Sequence, residues 1–431
     1  MKLLRTFEKI YVVVSMLFLT NGIFQRAIAQ SDVAGQTSPV PEDRIGELLV
    51  CLILVPLLIV HSRKILAGLR QSGWIVALCS LAIASAAWSS DWRFTLRRGV
   101  LLTAITLFAV YVASCFDWDE QLDLFGWLSV IAVVGSAFMA IFVPYYGISH
   151  DIHAGAVKGI FPHKNILGRQ MVFAILTLWL AKPKGIPVWL RNCTLAVACV
   201  LVVLSSAATS MIALAVCVVM YPVLELLRIG KRRTVPLWVP LAPLLAAGTY
   251  LVLSNFGLIL QAAGRTNTLS GRTVIWASVF RAVSDRKWLG YGLDVFWSHV
   301  VWPGGDLPTA HNGYLDIVLA LGIVGLLVYI GGFLTNLWRA SRLFWANEIR
   351  GAKWPLFILL FFGVFNFTES NILRLLTYLW IPYVTIYVSL GLMRVEERYA
   401  LLSRSAIQDV DDGRPEPEPS PVNGGLPGYG V

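Results

Sequence analysis

The residue best suited to chemistry in this chain is a histidine at the mouth of an apolar helix. The run Ala310-His311-Asn312-Gly313-Tyr314-Leu315-Asp316 leads straight into Ile317 to Leu321, Gly322, Ile323, Val324 and Gly325. An imidazole exchanges protons near neutral pH, so a histidine here suits a general base. Asn312 lies beside it and Asp316 one turn on. The competing reading is an interfacial histidine bonded to a loop carbonyl. His163 and Glu369, the latter in Phe367-Thr368-Glu369-Ser370-Asn371, are the other outer groups able to move protons.

Arginines are the second chemical signal. Arg93, Arg97, Arg98, Arg265, Arg272, Arg281 and Arg286, with Lys158, Lys164 and Lys287, fall on what reads as the outer side. A guanidinium fork holds phosphate oxygens bidentately, and that pairing strengthens at a membrane interface, where the dielectric is lower than in water. A pyrophosphate-bearing lipid is the natural ligand, ordinary lipid headgroups and helix capping being the alternatives. Arg169 follows Phe161-Pro162-His163-Lys164-Asn165-Ile166-Leu167-Gly168 and falls a turn inside a span. An arginine at a helix centre costs about 2.5–3.5 kcal/mol, so Arg169 should face a wet cavity or a bound anion, or else snorkel outward. Arg272 sits in Ser270-Gly271-Arg272-Thr273-Val274-Ile275-Trp276, before an expected amphipathic outer helix with Trp276, Phe280 and Val283 on one face. His150 and His153 form only a weak metal pair, and no metal site is expected.

These residues must be positioned by a membrane bundle. Hydrophobic residues make up 57% of the chain and charged ones 14%, far from the roughly one quarter charged of soluble domains. The expected fold is all-α: a polytopic bundle of about twelve transmembrane helices, since helices satisfy every backbone group in hydrocarbon. The spans lie near residues 10–24, 46–60, 73–88, 99–115, 122–143, 166–181, 192–205, 211–227, 235–256, 313–338, 354–367 and 375–393. Basic loops, which stay cytoplasmic, place both termini inside. That puts residues 1–45 as an N-terminal span with an outer loop, 46–398 as the membrane domain with an outer loop over 257–312, and 399–431 as a disordered cytoplasmic tail. The first span, followed by Ala27-Ile28-Ala29-Gln30, also has the layout of a cleavable signal peptide.

The six cysteines, none in a CxxC pair, read as packing residues. No glycine-rich nucleotide loop is present, so no nucleotide, metal or other cofactor and no nucleic-acid partner is expected. A carrier of lipid-linked saccharides would also need outer arginines, but its mark would be charges deep in several spans, and these are almost absent.

His311-Asn312, nine residues, Gly322, two residues and Gly325 is similar to the signature of the O-antigen ligase/polymerase superfamily. The Gly271-Arg272 to Trp276 element, the Leu289-Gly290-Tyr291-Gly292 turn and the Pro162-His163-Lys164-Asn165 segment resemble its other recurring pieces, in order and spacing. Arg265 to Leu269 meets a further, weakly specific pattern. Trp88 to Asp91 with Arg97-Arg98, and Glu369-Ser370-Asn371, look closest to exopolysaccharide polymerases.

The resemblance implies a metal-independent, inverting glycosyltransferase of the bacterial inner membrane, with a long helical periplasmic loop before its tenth span. Its donor would be an undecaprenyl-pyrophosphate-linked oligosaccharide. His311 and Arg272 would be catalytic. Arg169, Arg272 and Arg265 would hold pyrophosphate, with Asn312, Asn165, His163 and Glu369 in support. A chain-length regulator, a flippase and export proteins are the implied partners. Transfer to lipid A core by a ligase, and carriage of lipid-linked saccharides, are the alternatives. If Arg272 grips the leaving group, Arg272→Ala abolishes polymer while protein level stays normal; polymer of ordinary length on a gel would remove Arg272 from the site.

Overall fold

A computed structural model describes residues 2–20, 41–150, 154–230, 272–299, 309–374 and 378–394. The expected ninth span (235–256), Arg265, His153 and the tail over 399–431 lie outside the described residues. Every element described is helical, and Ile148 with Val157 forms only an isolated bridge. The helices are α1 (Lys2–Leu19), α2 (Pro41–Val60), α3 (Ser62–Arg70), α4 (Gly73–Ala84), α5 (Trp92–Cys115), α6 (Trp118–Phe142), α7 (Lys164–Leu176), α8 (Val188–Leu204), α9 (Ala208–Gly230), α10 (Arg272–Asp285), α11 (Gly313–Ala346), α12 (Trp354–Phe365) and α13 over 380–394.

Helices occupy most of the expected spans within the described residues, but the count of about twelve spans is not established by them. Among the described residues, α5, α6, α9 and α11 are by themselves long and apolar enough to cross a membrane. The bent pair 50–60 and 62–70 makes a fifth if it is one broken span rather than a re-entrant loop, whereas Gly73–Trp88, α8 and α12 are shorter apolar helices. The chain is a multi-pass membrane protein. Residues 62–70, read as part of a basic loop, instead form α3, turned 93° from the end of α2.

Polar side chains set where the helices start. Asp91 caps α5 by accepting from the Phe94 amide at 3.0 Å. Asp117 and Glu120 form a reciprocal capping box on α6. Asn312 accepts from the amides of Tyr314 and Leu315 at 3.0 and 3.1 Å and so caps α11. Such a cap contributes about 1 kcal/mol.

One end of the bundle gathers the basic residues assigned to the inner loops. Glu120 pairs with Arg5 and Lys9, and Asp119 with Lys184 and Arg350. Glu225 pairs with Lys353 at 2.7 Å and Arg228 at 2.8 Å. Helix α1 belongs to the core: Val12 and Met16 are fully buried, and the Tyr11 hydroxyl donates to the Val50 carbonyl at 2.8 Å.

The feature that shapes the opposite end is a break in α11. Gly322 has φ 69° and ψ −168°, a conformation essentially confined to glycine. The break opens the two helical bonds that would join Leu319 to Ile323 and Ala320 to Val324. All four released groups are taken up by the turn after α10. Tyr291 and Gly292 amides donate to the Leu319 and Ala320 carbonyls at 2.8 and 2.9 Å, and the Ile323 and Val324 amides donate to Lys287 and Trp288 carbonyls at 2.8 and 3.3 Å. An unsatisfied backbone group in hydrocarbon would cost several kcal/mol.

Both glycines of the Gly322/Gly325 spacing thereby acquire a physical reason. A Cβ at Gly322 would lie 2.1 Å from the Trp288 carbonyl oxygen, and one at Gly325 would lie 2.3 Å from the Leu321 Cβ. The inserted turn is fixed on its other side by Trp88 Nε1, which donates to the Leu289 carbonyl at 2.9 Å, and by the Leu293 amide, which donates to Ser85 Oγ at 3.1 Å. Gly322→Ala is expected to destabilise the purified protein by more than the ~1–3 kcal/mol of backbone strain alone. Gly73→Ala, with nothing within 4 Å of its added Cβ, is the neutral control. Thermal unfolding in detergent reads both, and equal melting temperatures would refute the strain argument.

Candidate functional site

Three chain segments converge beside the broken helix: the start of α7, the stub of α11 before Gly322, and the irregular stretch 366–374 that follows α12. Non-helical backbone within a membrane bundle is tolerated where protein buries it or a cavity wets it. Here Asn366, Asn371, Ile372 and Leu373 are all buried. Asn366 holds the stretch in shape. Its side chain donates to the Phe362 carbonyl at 2.7 Å and accepts from the Asn371 amide at 2.8 Å, while its carbonyl accepts from the Gly313 amide at 2.8 Å. A Cβ on Gly313 would meet Asn366 Oδ1 at 2.4 Å, so glycine is required where α11 starts.

His311 stands at that junction in a left-handed conformation, φ 49°, uncommon for a residue other than glycine. The contacts that fix this loop surround Ala310. Its carbonyl accepts from Trp276 Nε1 at 2.9 Å, and its amide donates to Asp316 Oδ1 at 3.0 Å. Trp297 Nε1 also donates to Asp316 Oδ1, at 2.9 Å. Asp316 therefore clamps the loop that carries the histidine. The imidazole is half-buried, with Nδ1 3.5 Å from Glu369 Oε2, an ion-pair distance longer than a hydrogen bond. Glu369 Oε1 accepts from Asn165 Nδ2 at 3.0 Å, which ties the carboxylate to the first turn of α7. With Nδ1 turned to the carboxylate, Nε2 is the nitrogen left to meet a substrate.

Arg169 lies on α7 four residues after Asn165 and is only 6% exposed. Its guanidinium donates to Asn371 Oδ1, its Nε has no hydrogen-bond partner, and Glu369 is the carboxylate whose charge reaches it. A buried guanidinium partnered by a neutral amide keeps unspent capacity for an anion, because burying an unpaired charge is costly. The snorkelling alternative does not fit this burial.

The expected residues thus separate by role. His311, Glu369, Asn165 and Arg169 come together. His163 and Asn312 act as caps, the imidazole Nδ1 accepting from the Asn165 amide at 3.2 Å. Arg272 is the first residue of α10, one turn or about 6 Å of axial rise before Trp276, which touches the carbonyl next to His311. Its side chain and all of Arg265 lie outside what is described. The expected face of α10 needs correction: Ile275 and Val279 are the buried pair, packed on Ala310 and Leu319 with Trp276 and Val283 alongside, whereas Phe280 is 56% exposed.

Sequence reasoning missed Asn366, the role of Asn371, and a carboxylate bridge in which Asp294 meets Arg98 at 3.5 Å and Arg374 at 3.3 Å. Asp294 has φ 59°; it follows the Gly290-Tyr291-Gly292 turn, the one sequence signal that could have flagged it.

Residues 193–330 match the O-antigen ligase family. The matched stretch contains His311, Gly322 and Gly325, while Asn165, Arg169, Glu369 and Asn371 lie beyond it on either side. An exopolysaccharide production protein, ExoQ, of Rhizobium meliloti is 24% identical over 64% of this chain and 66% of its own length. An O-antigen ligase of Pseudomonas aeruginosa is 26% identical over 59% of this chain and 61% of its own. Neither alignment reaches two thirds of the relative's length.

The geometry around Arg169 makes a specific demand on chemistry. A lysine is a point charge that cannot span two oxygens as a fork does. Arg169→Lys is expected to lower transfer activity at least tenfold with folding retained; full activity in membranes of matched protein content would return Arg169 to a packing role.

Proposed function

We propose that this protein is a membrane-embedded glycosyltransferase that polymerises undecaprenyl-pyrophosphate-linked oligosaccharide repeat units into exopolysaccharide at the periplasmic face. The observation that carries the reading is the constellation itself, an imidazole paired with a carboxylate beside a buried arginine that lacks a full set of partners. The comparisons support assembly of exopolysaccharide or O-antigen, and the match of residues 193–330 to the O-antigen ligase family supports a lipid-linked glycan as substrate.

In the proposed step an acceptor hydroxyl attacks the anomeric carbon of the donor saccharide. The new carbon–oxygen bond forms as the bond to the pyrophosphate oxygen breaks, and attack from the opposite face inverts the configuration. His311 Nε2 receives the hydroxyl proton, and Glu369 stabilises the imidazolium through Nδ1. The leaving pyrophosphate carries the electron pair, and Arg169, with Arg272 and Arg265 from the outer loop, holds the developing charge. No metal ion takes part, so activity should survive EDTA.

The ligase reading, in which lipid A core is the acceptor, rests on the similarity to the Pseudomonas aeruginosa protein. The two readings share a donor site and differ in the accumulated intermediate. Cells lacking the protein, complemented with wild type or His311→Ala at matched expression, are the test. A single lipid-linked repeat unit that accumulates and is cleared only by wild type is the expected outcome. Long lipid-linked polymer would point to a ligase, and absence of any accumulated saccharide would defeat both readings.

A further inference from the structure

The helix that begins at Arg272 presents an unexplained surface. Its buried face packs on Ala310 and Leu319, yet Phe280, Trp288 and Leu289 remain 56%, 67% and 44% exposed. Three large apolar side chains within ten residues are thus left without a packing partner that would bury them. Cations accompany them: Arg281, Arg286 and Lys287 are all exposed, against the single acid Asp285 within 280–289.

The level of these residues along the bundle follows from the break in α11. The Trp288 carbonyl accepts from the Val324 amide, so Trp288 stands where the unbroken part of α11 begins. From Val324 to Arg342 that helix rises about 27 Å at 1.5 Å per residue, close to the ~30 Å thickness of bilayer hydrocarbon. The far end carries its own aromatic and cationic band, with Arg342 and Arg394 lying 5.4 and 4.9 Å from the Trp338 ring. An exposed tryptophan one hydrocarbon thickness away is where the aromatic belt of the opposite interface falls. The neighbouring start of α5 continues the band, since Trp92 is 55% exposed with Arg93 5.4 Å from its ring.

We propose that Phe280, Trp288 and Leu289 enter the outer bilayer interface while Arg281 and Lys287 hold phosphates of anionic lipid headgroups, docking α10 on the membrane surface. The occupant is the leaflet itself. Basic side chains are drawn to an anionic surface, and long ones can keep their charges in the headgroups while apolar neighbours dip below them. Docking would place the Trp276 contact, and with it His311, at a set height above the headgroups. The inference does not depend on which transfer reaction the site performs, because its readout is lipid.

The test replaces Phe280 with p-benzoylphenylalanine in the full-length protein, reconstituted in nanodiscs of phosphatidylcholine with or without phosphatidylglycerol. After irradiation, intact mass spectrometry is expected to show a single-lipid adduct, with phosphatidylglycerol captured several-fold above its mole fraction. The double variant Arg281→Gln/Lys287→Gln should keep the adduct and lose the preference. A covalent dimer would show that a second copy covers the face, and an unmodified mass would show that water does; either overturns the proposal. Adducts that follow mole fraction in the unsubstituted background would overturn the headgroup pairing.

Discussion

The site rests on an exchange of backbone hydrogen bonds. Helix α11 gives up two of its own bonds at Gly322, and the turn after α10 supplies two donors and two acceptors in their place. In water such a break would be cheap, because solvent could satisfy the released groups. Within or beside hydrocarbon it persists only if protein does so. The exchange therefore locks an outer-loop segment to a membrane helix at a fixed register, and that register aligns α10 with the loop bearing His311.

From that lock the rest follows in order. The Trp276 bond to Ala310 and the Asp316 bonds to Ala310 and Trp297 hold the loop in the conformation that gives His311 a positive φ. Asn366 then joins the start of α11 to the end of α12, carrying Glu369 to the imidazole. Asn165 and Arg169, on one side of α7, meet Glu369 and Asn371 of that same stretch. An imidazole, a carboxylate and a buried guanidinium are thus brought together by three segments far apart in sequence.

The ionic clusters at the opposite end do different work. The Asp119–Lys184 pair is exposed and contributes little, whereas the Glu225–Lys353 pair is largely buried. They tie helix ends together on the side to which the sequence assigned the basic loops. The residues with chemical capacity are concentrated at the other end.

Composition and periodicity alone determined that this chain is a helical membrane protein, because apolar runs of that length have no other stable state in lipid. The spacing of His311, Gly322 and Gly325 singled out the histidine, and arginine's poor fit in hydrocarbon singled out Arg169. Tertiary structure decided what the spacing could not. Glu369 was legible only as one of several outer acids and bases, since nothing local announces a partner 58 residues away from His311. Asn366 was invisible, an asparagine after an apolar helix being an ordinary way to end one. Phe280 was assigned to the packed face because helical periodicity reports that an apolar stripe exists, whereas which neighbour covers it depends on elements that meet only in the folded bundle.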